Sequence, residues 1–175
     1  GLKLHRFIEK KIVSITIDTE DILDGTVGPP SQVEPLRPFP RSAESGAKGY
    51  PRKFTAQLPG GKRLLMTAHI WPKRSSDPGY KLEGGNVAAH QGFYFYRHDR
   101  LIQDGGWNGC RTGTEPHMSL ARVEVDIPDE LAEFFNIAPA KSRVTPRQPF
   151  AGAIRKARSV DGKLRFQDYL DLADE

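Results

Sequence analysis

Apolar and polar positions repeat with two different periods along this chain, and the switches between them outline its elements. Residues 2–10 place Leu4, Phe7 and Ile8 on one helical face. Residues 11–18 turn to period two, with Val13, Ile15 and Ile17 pointing one way and Ser14 and Thr16 the other, the pattern of a half-buried strand. Between 19 and 50 five prolines (Pro29, Pro30, Pro35, Pro38, Pro40) and four glycines (Gly25, Gly28, Gly46, Gly49) leave no room for a helix. So long an irregular stretch is unusual in a compact domain and is expected to be functional, partner-bound or partly mobile. Residues 52–58 and 63–71 predict two strands joined by a hairpin loop at 59–62, and 72–91 predict another loop. Residues 92–97 and 100–103 flank His98 and Asp99 as a second hairpin, with Phe93 and Phe95 on one side and Tyr94 and Tyr96 on the other. The alternation is cleanest at 118–127, where Ala121, Val123, Val125 and Ile127 share a face. Pro128, Asp129 and Glu130 open a short helix to residue 135, with acids suitably placed in its first turn. After a loop at 136–149, residues 150–159 and 164–173 predict two helices separated by Asp161 and Gly162.

The order is helix, five or six strands, then helices. It predicts an α+β fold with a mixed or antiparallel sheet covered by helices on one face, not the strand–helix alternation of a dinucleotide fold. No internal repeat and no coiled-coil heptad occurs. At 175 residues the chain is one domain that buries roughly 70% of its unfolded surface. Its mean hydropathy of −0.55 and the lack of any apolar run near about 18 residues exclude a membrane span. The amino terminus has no apolar secretion segment, so a cytoplasmic location is expected. The chain opens on Gly1 rather than Met and is expected to be a piece of a longer protein.

Charge adds one feature. The net charge of +4 is mild, but between Glu133 and Asp161 there is no acid and six bases: Lys141, Arg143, Arg147, Arg155, Lys156 and Arg158. A block of one sign suits an anionic partner, phosphate or nucleic acid. Tyr94 and Tyr96, beside Arg97 and Arg100, offer a face on which bases could stack. Other chemistry is sparse. The single cysteine, Cys110, excludes an internal disulfide and reads as inert. The five histidines lack metal-ligand spacing, so no metal site is expected, and no phosphate-binding glycine motif is present. Lys141, followed by Ser142 at the head of the basic block, is a long-stemmed point charge suited to reaching a terminal phosphate.

Several segments taken in order resemble a known family. They are His5-Arg6-Phe7-Ile8-Glu9 with the period-two stretch after it; Pro38-Phe39; Gly92-Phe93-Tyr94-Phe95-Tyr96-Arg97 through Arg100-Leu101-Ile102; Gly105-Gly106-Trp107; Ala121-Arg122-Val123-Glu124-Val125-Asp126-Ile127-Pro128; and Ala140-Lys141-Ser142. Together they resemble the second, transducer domain of GHKL-type ATPases, in the branch related to the microrchidia and bacterial enzymes. The resemblance implies a left-handed βαβ fold like that of a ribosomal small-subunit protein domain, with residues 1–160 as the transducer and 161–175 as a C-terminal helical extension. It further implies a preceding ATP-binding domain, dimerisation on nucleotide binding, and ATP with Mg²⁺ as cofactor of the full-length protein. Lys141 matches the lysine that reaches the γ-phosphate, with Ser142 beside it. Such a lysine contributes only when the third phosphate is present, so ATP and ADP states differ in contact between domains.

The helix bearing a general-base Glu and the adenine-binding D-x-G-x-G loop of such ATPases are missing, so this chain alone is expected neither to bind ATP tightly nor to hydrolyse it. The alternative is a stand-alone nucleic-acid module using Arg143, Arg147, Arg155, Lys156 and Arg158 with the Tyr94 and Tyr96 face. DNA is then the partner, and no membrane is.

Overall fold

The computed structural model describes residues 1–82, 86–137 and 144–174. They form an α+β fold around a six-stranded mixed sheet. After a short helix α1 (His5–Glu9) comes a small hairpin of β1 (Thr16–Ile17) and β2 (Ser31–Gln32). The sheet holds β3 (Arg52–Gln57), β4 (Arg63–Ile70), β5 (Gly92–Arg97), β6 (Arg100–Asp104), β7 (Ala121–Asp126) and β10 (Arg158–Ser159). A one-turn helix α2 (Pro78–Lys81) lies between β4 and β5, and a separate hairpin of β8 (Phe135–Ile137) and β9 (Val144–Pro146) follows β7. Helices α3 (Phe150–Arg155) and α4 (Phe166–Asp174) flank β10. Strand order is β10-β3-β4-β7-β5-β6, antiparallel throughout except for the parallel pair β5 and β7.

The two expected hairpins form because their turns suit them. Gly60 and Gly61 take positive φ between β3 and β4, and His98 and Asp99 do so between β5 and β6. One sheet face carries Phe54, Ala56, Met66, Phe93, Phe95, Val123 and Val125 into the main core. Helices α3 and α4 cover it. Phe150, Ala153 and Ile154, and Phe166, Tyr169, Leu170 and Ala173, recur at helical spacing, so each helix buries one stripe. Asp168 starts α4 by accepting from the Arg165 amide at 2.7 Å.

Several expectations change: the loop expected at 136–149 contains strand residues of β8 and β9, and the helix expected at 150–159 ends at Arg155, before β10. Helices lie on both faces, because α1 packs on Tyr96 on the side opposite α3 and α4. The proposed boundary at residue 160 meets no break in packing, since α4 fills the same core as the sheet. The period-two stretch at 11–18 is not a half-buried strand of the main sheet. Only Thr16 and Ile17 pair, with β2 of their own hairpin, and Ile17 remains 51% exposed because no layer packs against it. No helix among the described residues is long and apolar enough to cross a membrane.

Candidate functional site

On the face opposite the main core, segments far apart in sequence meet over β4, β5 and β7. Tyr94 and Tyr96 point there from β5, and the Pro38–Phe39 strap crosses them, with Phe39 5.2 Å edge-on from Tyr94 and stacked 4.4 Å from His69. A 2.8 Å hydrogen bond joins His5 Nε2 to the Tyr96 hydroxyl. The Arg6 guanidinium lies 3.6 Å from the centre of the Tyr96 ring and pairs with Glu124, Asp126 and Asp99. His69 Nε2 lies 3.1 Å from Glu124, and Arg37 grips Glu9 through two 3.0 Å bonds. A cleft of about 220 Å³ opens between these groups, lined by His5, Glu9, Arg37, Arg41, His69 and Glu124.

The electrostatics follow from burial opposed by pairing. Burial disfavours the Arg6 charge, but Asp126 and Glu124 outweigh it and push the guanidinium upward. Burial likewise opposes the Glu124 charge, yet the hydrogen bond from His69 and the charge of Arg6 hold the carboxyl below its usual range. Burial pulls His5 below an ordinary histidine despite nearby Glu9. The side chains of this cluster are largely engaged with one another, while His5 Nδ1 and His69 Nδ1 are buried without a hydrogen-bond partner. The arrangement is suited to clamping α1 on the sheet, and it presents no activated nucleophile.

Arg122 extends the clamp. It is fully buried and donates to the carbonyls of Pro38 at 2.7 Å, Gly79 at 2.6 Å and Tyr80, among the rings of Trp71, Tyr80 and Tyr94. Burial lowers its pKa. Trp71 Nε1 donates to the same Pro38 carbonyl at 3.1 Å.

Lys141, Ser142 and Arg143 lie outside the described residues. The segments on either side of them are tied to the sheet. Register pairs Ile137 with Val144, and Phe135 packs against Phe95 and Phe150. The Val144 amide donates to Gln103 Oε1 at 2.7 Å, and Asn108 donates to the Val144 carbonyl at 2.8 Å. Gln103 reaches this position because the β5–β6 register shifts between Phe95 and Tyr96, leaving Ile102 unpaired and turning Gln103 to the core side. The glycines beside it are demanded by close approach: a Cβ on Gly92, at φ +106°, would lie 2.4 Å from the Gly106 carbonyl oxygen.

The other proposed basic residues, Arg147, Arg155, Lys156 and Arg158, are all exposed. Arg147 acts on Glu133, Arg155 on Cys110 and Arg158 on Asp168. The proposed stacking face of Tyr94 and Tyr96 is overturned. Both rings are fully buried, because α1 and the strap cover the side that alternation left open. Cys110 is half-buried, and burial pushes its thiol up to about 12. His117 pairs with Glu115 and Asp174 instead. No cluster of metal-ligating side chains occurs among the described residues. The sequence reading missed Gln103, Asn108 and Arg122. The signal was a polar side chain on an otherwise apolar strand, as with Arg122 between Ala121 and Val123.

No protein-family model matches the chain, and no curated protein or solved structure is significantly similar to it.

Proposed function

We propose that this chain is the transducer domain of a larger GHKL-type ATP-binding protein, in which Lys141 senses the γ-phosphate of ATP held by a preceding module. The observation that carries the reading is convergence. Apart from the period-two stretch at 11–18, the described segments on which the resemblance rests meet on the main sheet. Residues 5–9, the Pro38–Phe39 strap, β5 and β7 form the clamp of His5, Arg6, Tyr96 and Glu124. On the other side of β5, Gln103 and Asn108 hold Val144, three residues after Lys141. Residues 5–9 are thereby tied to β5 and β7, and Val144 to the neighbouring β6 and the loop after it. That is the connection a relay between nucleotide state and domain position needs.

In this reading Lys141 and Ser142 supply the domain's contact with the nucleotide, while Mg²⁺ and adenine are held by the preceding module. A lysine there stabilises charge on the transferring phosphoryl group. Lys141→Ala in the full-length protein is expected to lower ATP turnover by about 10²–10³-fold with unchanged thermal stability. Unchanged turnover would remove the assignment, as would ordinary ATPase activity of the isolated chain. Nucleic-acid binding is the weaker reading, because the tyrosines are covered and Arg147, Arg155 and Arg158 act on different neighbours.

A further inference from the structure

Two exposed features of opposite character lie apart on this chain. The first is the hairpin of β1 and β2. Residues 12–34 contain five acids, Asp18, Glu20, Asp21, Asp24 and Glu34, and no base. Its tip is built by its own side chains. Asp21 accepts from the Leu23 amide at 2.8 Å, Asp24 accepts from the Thr26 amide at 2.8 Å and its hydroxyl at 2.6 Å, and Gly25 closes the turn at φ +68°. This ordered turn holds Ile22 and Leu23 out into solvent, 95% and 97% exposed.

The second feature is the uncovered end of the sheet. The strap and α1 seal the outer face over β5, β7 and the end of β4. Farther along, the register sets Arg158, Thr55 and Leu65 side by side across β10, β3 and β4, with Lys53 beside Thr67 and Gln57 beside Arg63. Leu65 is 50% exposed and Val160, just past β10, is 65% exposed. Among the described residues, Lys53, Arg63 and Arg158 make no ion pair. This end is basic with apolar centres; the hairpin is acidic with an apolar tip. Paired apolar and charged features of this kind mark interaction surfaces.

We propose that the hairpin of one copy docks on the open sheet end of a second copy. Ile22 and Leu23 seat on Leu65 and Val160, and the flanking carboxylates face Lys53, Arg63 and Arg158. The charge signs select this occupant, since one chain supplies both halves of the match. Reciprocal exchange about a two-fold axis uses both contacts at once. The contact is independent of the nucleotide reading and requires no ATP, so either can fail without the other.

Sedimentation velocity on the full chain tests it. The expected result is a dimer that weakens as salt rises and loses at least about tenfold in affinity in the double variant Ile22→Asp/Leu23→Asp. Arg63→Glu/Arg158→Glu is expected to weaken it similarly. All these positions are exposed, so near-UV circular dichroism should stay native. Mixing the two double variants should restore a heterodimer, because one intact hairpin then meets one intact face. A monomer at every concentration, or a dimer indifferent to both pairs of substitutions, overturns the proposal. Binding of labelled single-stranded DNA that Arg63→Glu/Arg158→Glu abolishes, with the chain still monomeric, would also overturn it and give the face to nucleic acid.

Discussion

Over β5 and β7 the outer sheet face carries Tyr94, Tyr96, Arg122 and Glu124 and lies under α1 and the strap at 38–40; over β10, β3 and the start of β4 it carries Lys53, Thr55, Arg63 and Leu65 and is bare. Strand β4 crosses from one regime to the other. Leu65 is exposed near its beginning, while Ala68, His69 and Ile70 are all buried at its end. The covered end buries large rings whose hydroxyls have partners, His5 for Tyr96 and the His90 carbonyl for Tyr94. The open end has side chains that reach solvent. Coverage is thus reflected in the residue types on the face, because a sealed polar group needs a fixed partner and an exposed one does not.

Substitutions should separate the two ends by magnitude. Arg122→Leu strips the Gly79 and Tyr80 carbonyls of their donor and is expected to destabilise the fold by about 3 kcal/mol in chemical denaturation. A loss below about 1 kcal/mol would show that water replaces the guanidinium. Tyr96→Phe removes only the hydroxyl that joins His5 and should cost about 1 kcal/mol, read by the same titration.

Acid should act on the covered end in two stages. His5 is held below its ordinary 6.5, so as pH falls through that value the unfolded chain gains a proton first and stability drops until the native His5 also titrates. Glu9 and Glu124 lie below their ordinary 4.5. Their stabilisation is complete above that value and is lost as pH falls through their lower native values. The melting temperature should therefore fall between pH 7 and 5, and His5→Gln should flatten that part of the profile. An identical profile would place the acid sensitivity elsewhere. At the open end Leu65→Thr should change stability by no more than about 0.5 kcal/mol.

Much of the sheet was legible because its signals are local. The alternation at 121–127, the Gly-containing loop between β3 and β4, and the paired positive-φ residues His98 and Asp99 each act within a few residues. Alternation at 11–18 misled for a related reason. It reports that one side of a segment is apolar, and the hairpin leaves that side unpacked. The clamp was legible only as a set of motif segments. Arg6 and Glu124 lie 118 residues apart, and no local spacing reveals that they pair. Gln103 was hidden by a register shift, which a strict period of two does not anticipate.

By itself the sequence determined where β3 to β7 and the helices near 5–9, 150–155 and 166–174 run, which side of those strands is apolar, and that an acid-free run of bases surrounds Lys141. Those properties follow from backbone sterics and from side-chain spacing along a regular element. Only the tertiary structure decided which layer covers each half of the outer face, that Tyr94 and Tyr96 are sealed, and that Gln103 and Asn108 hold Val144. These outcomes depend on distant segments closing over the sheet, where a polar group buried without a partner is costly.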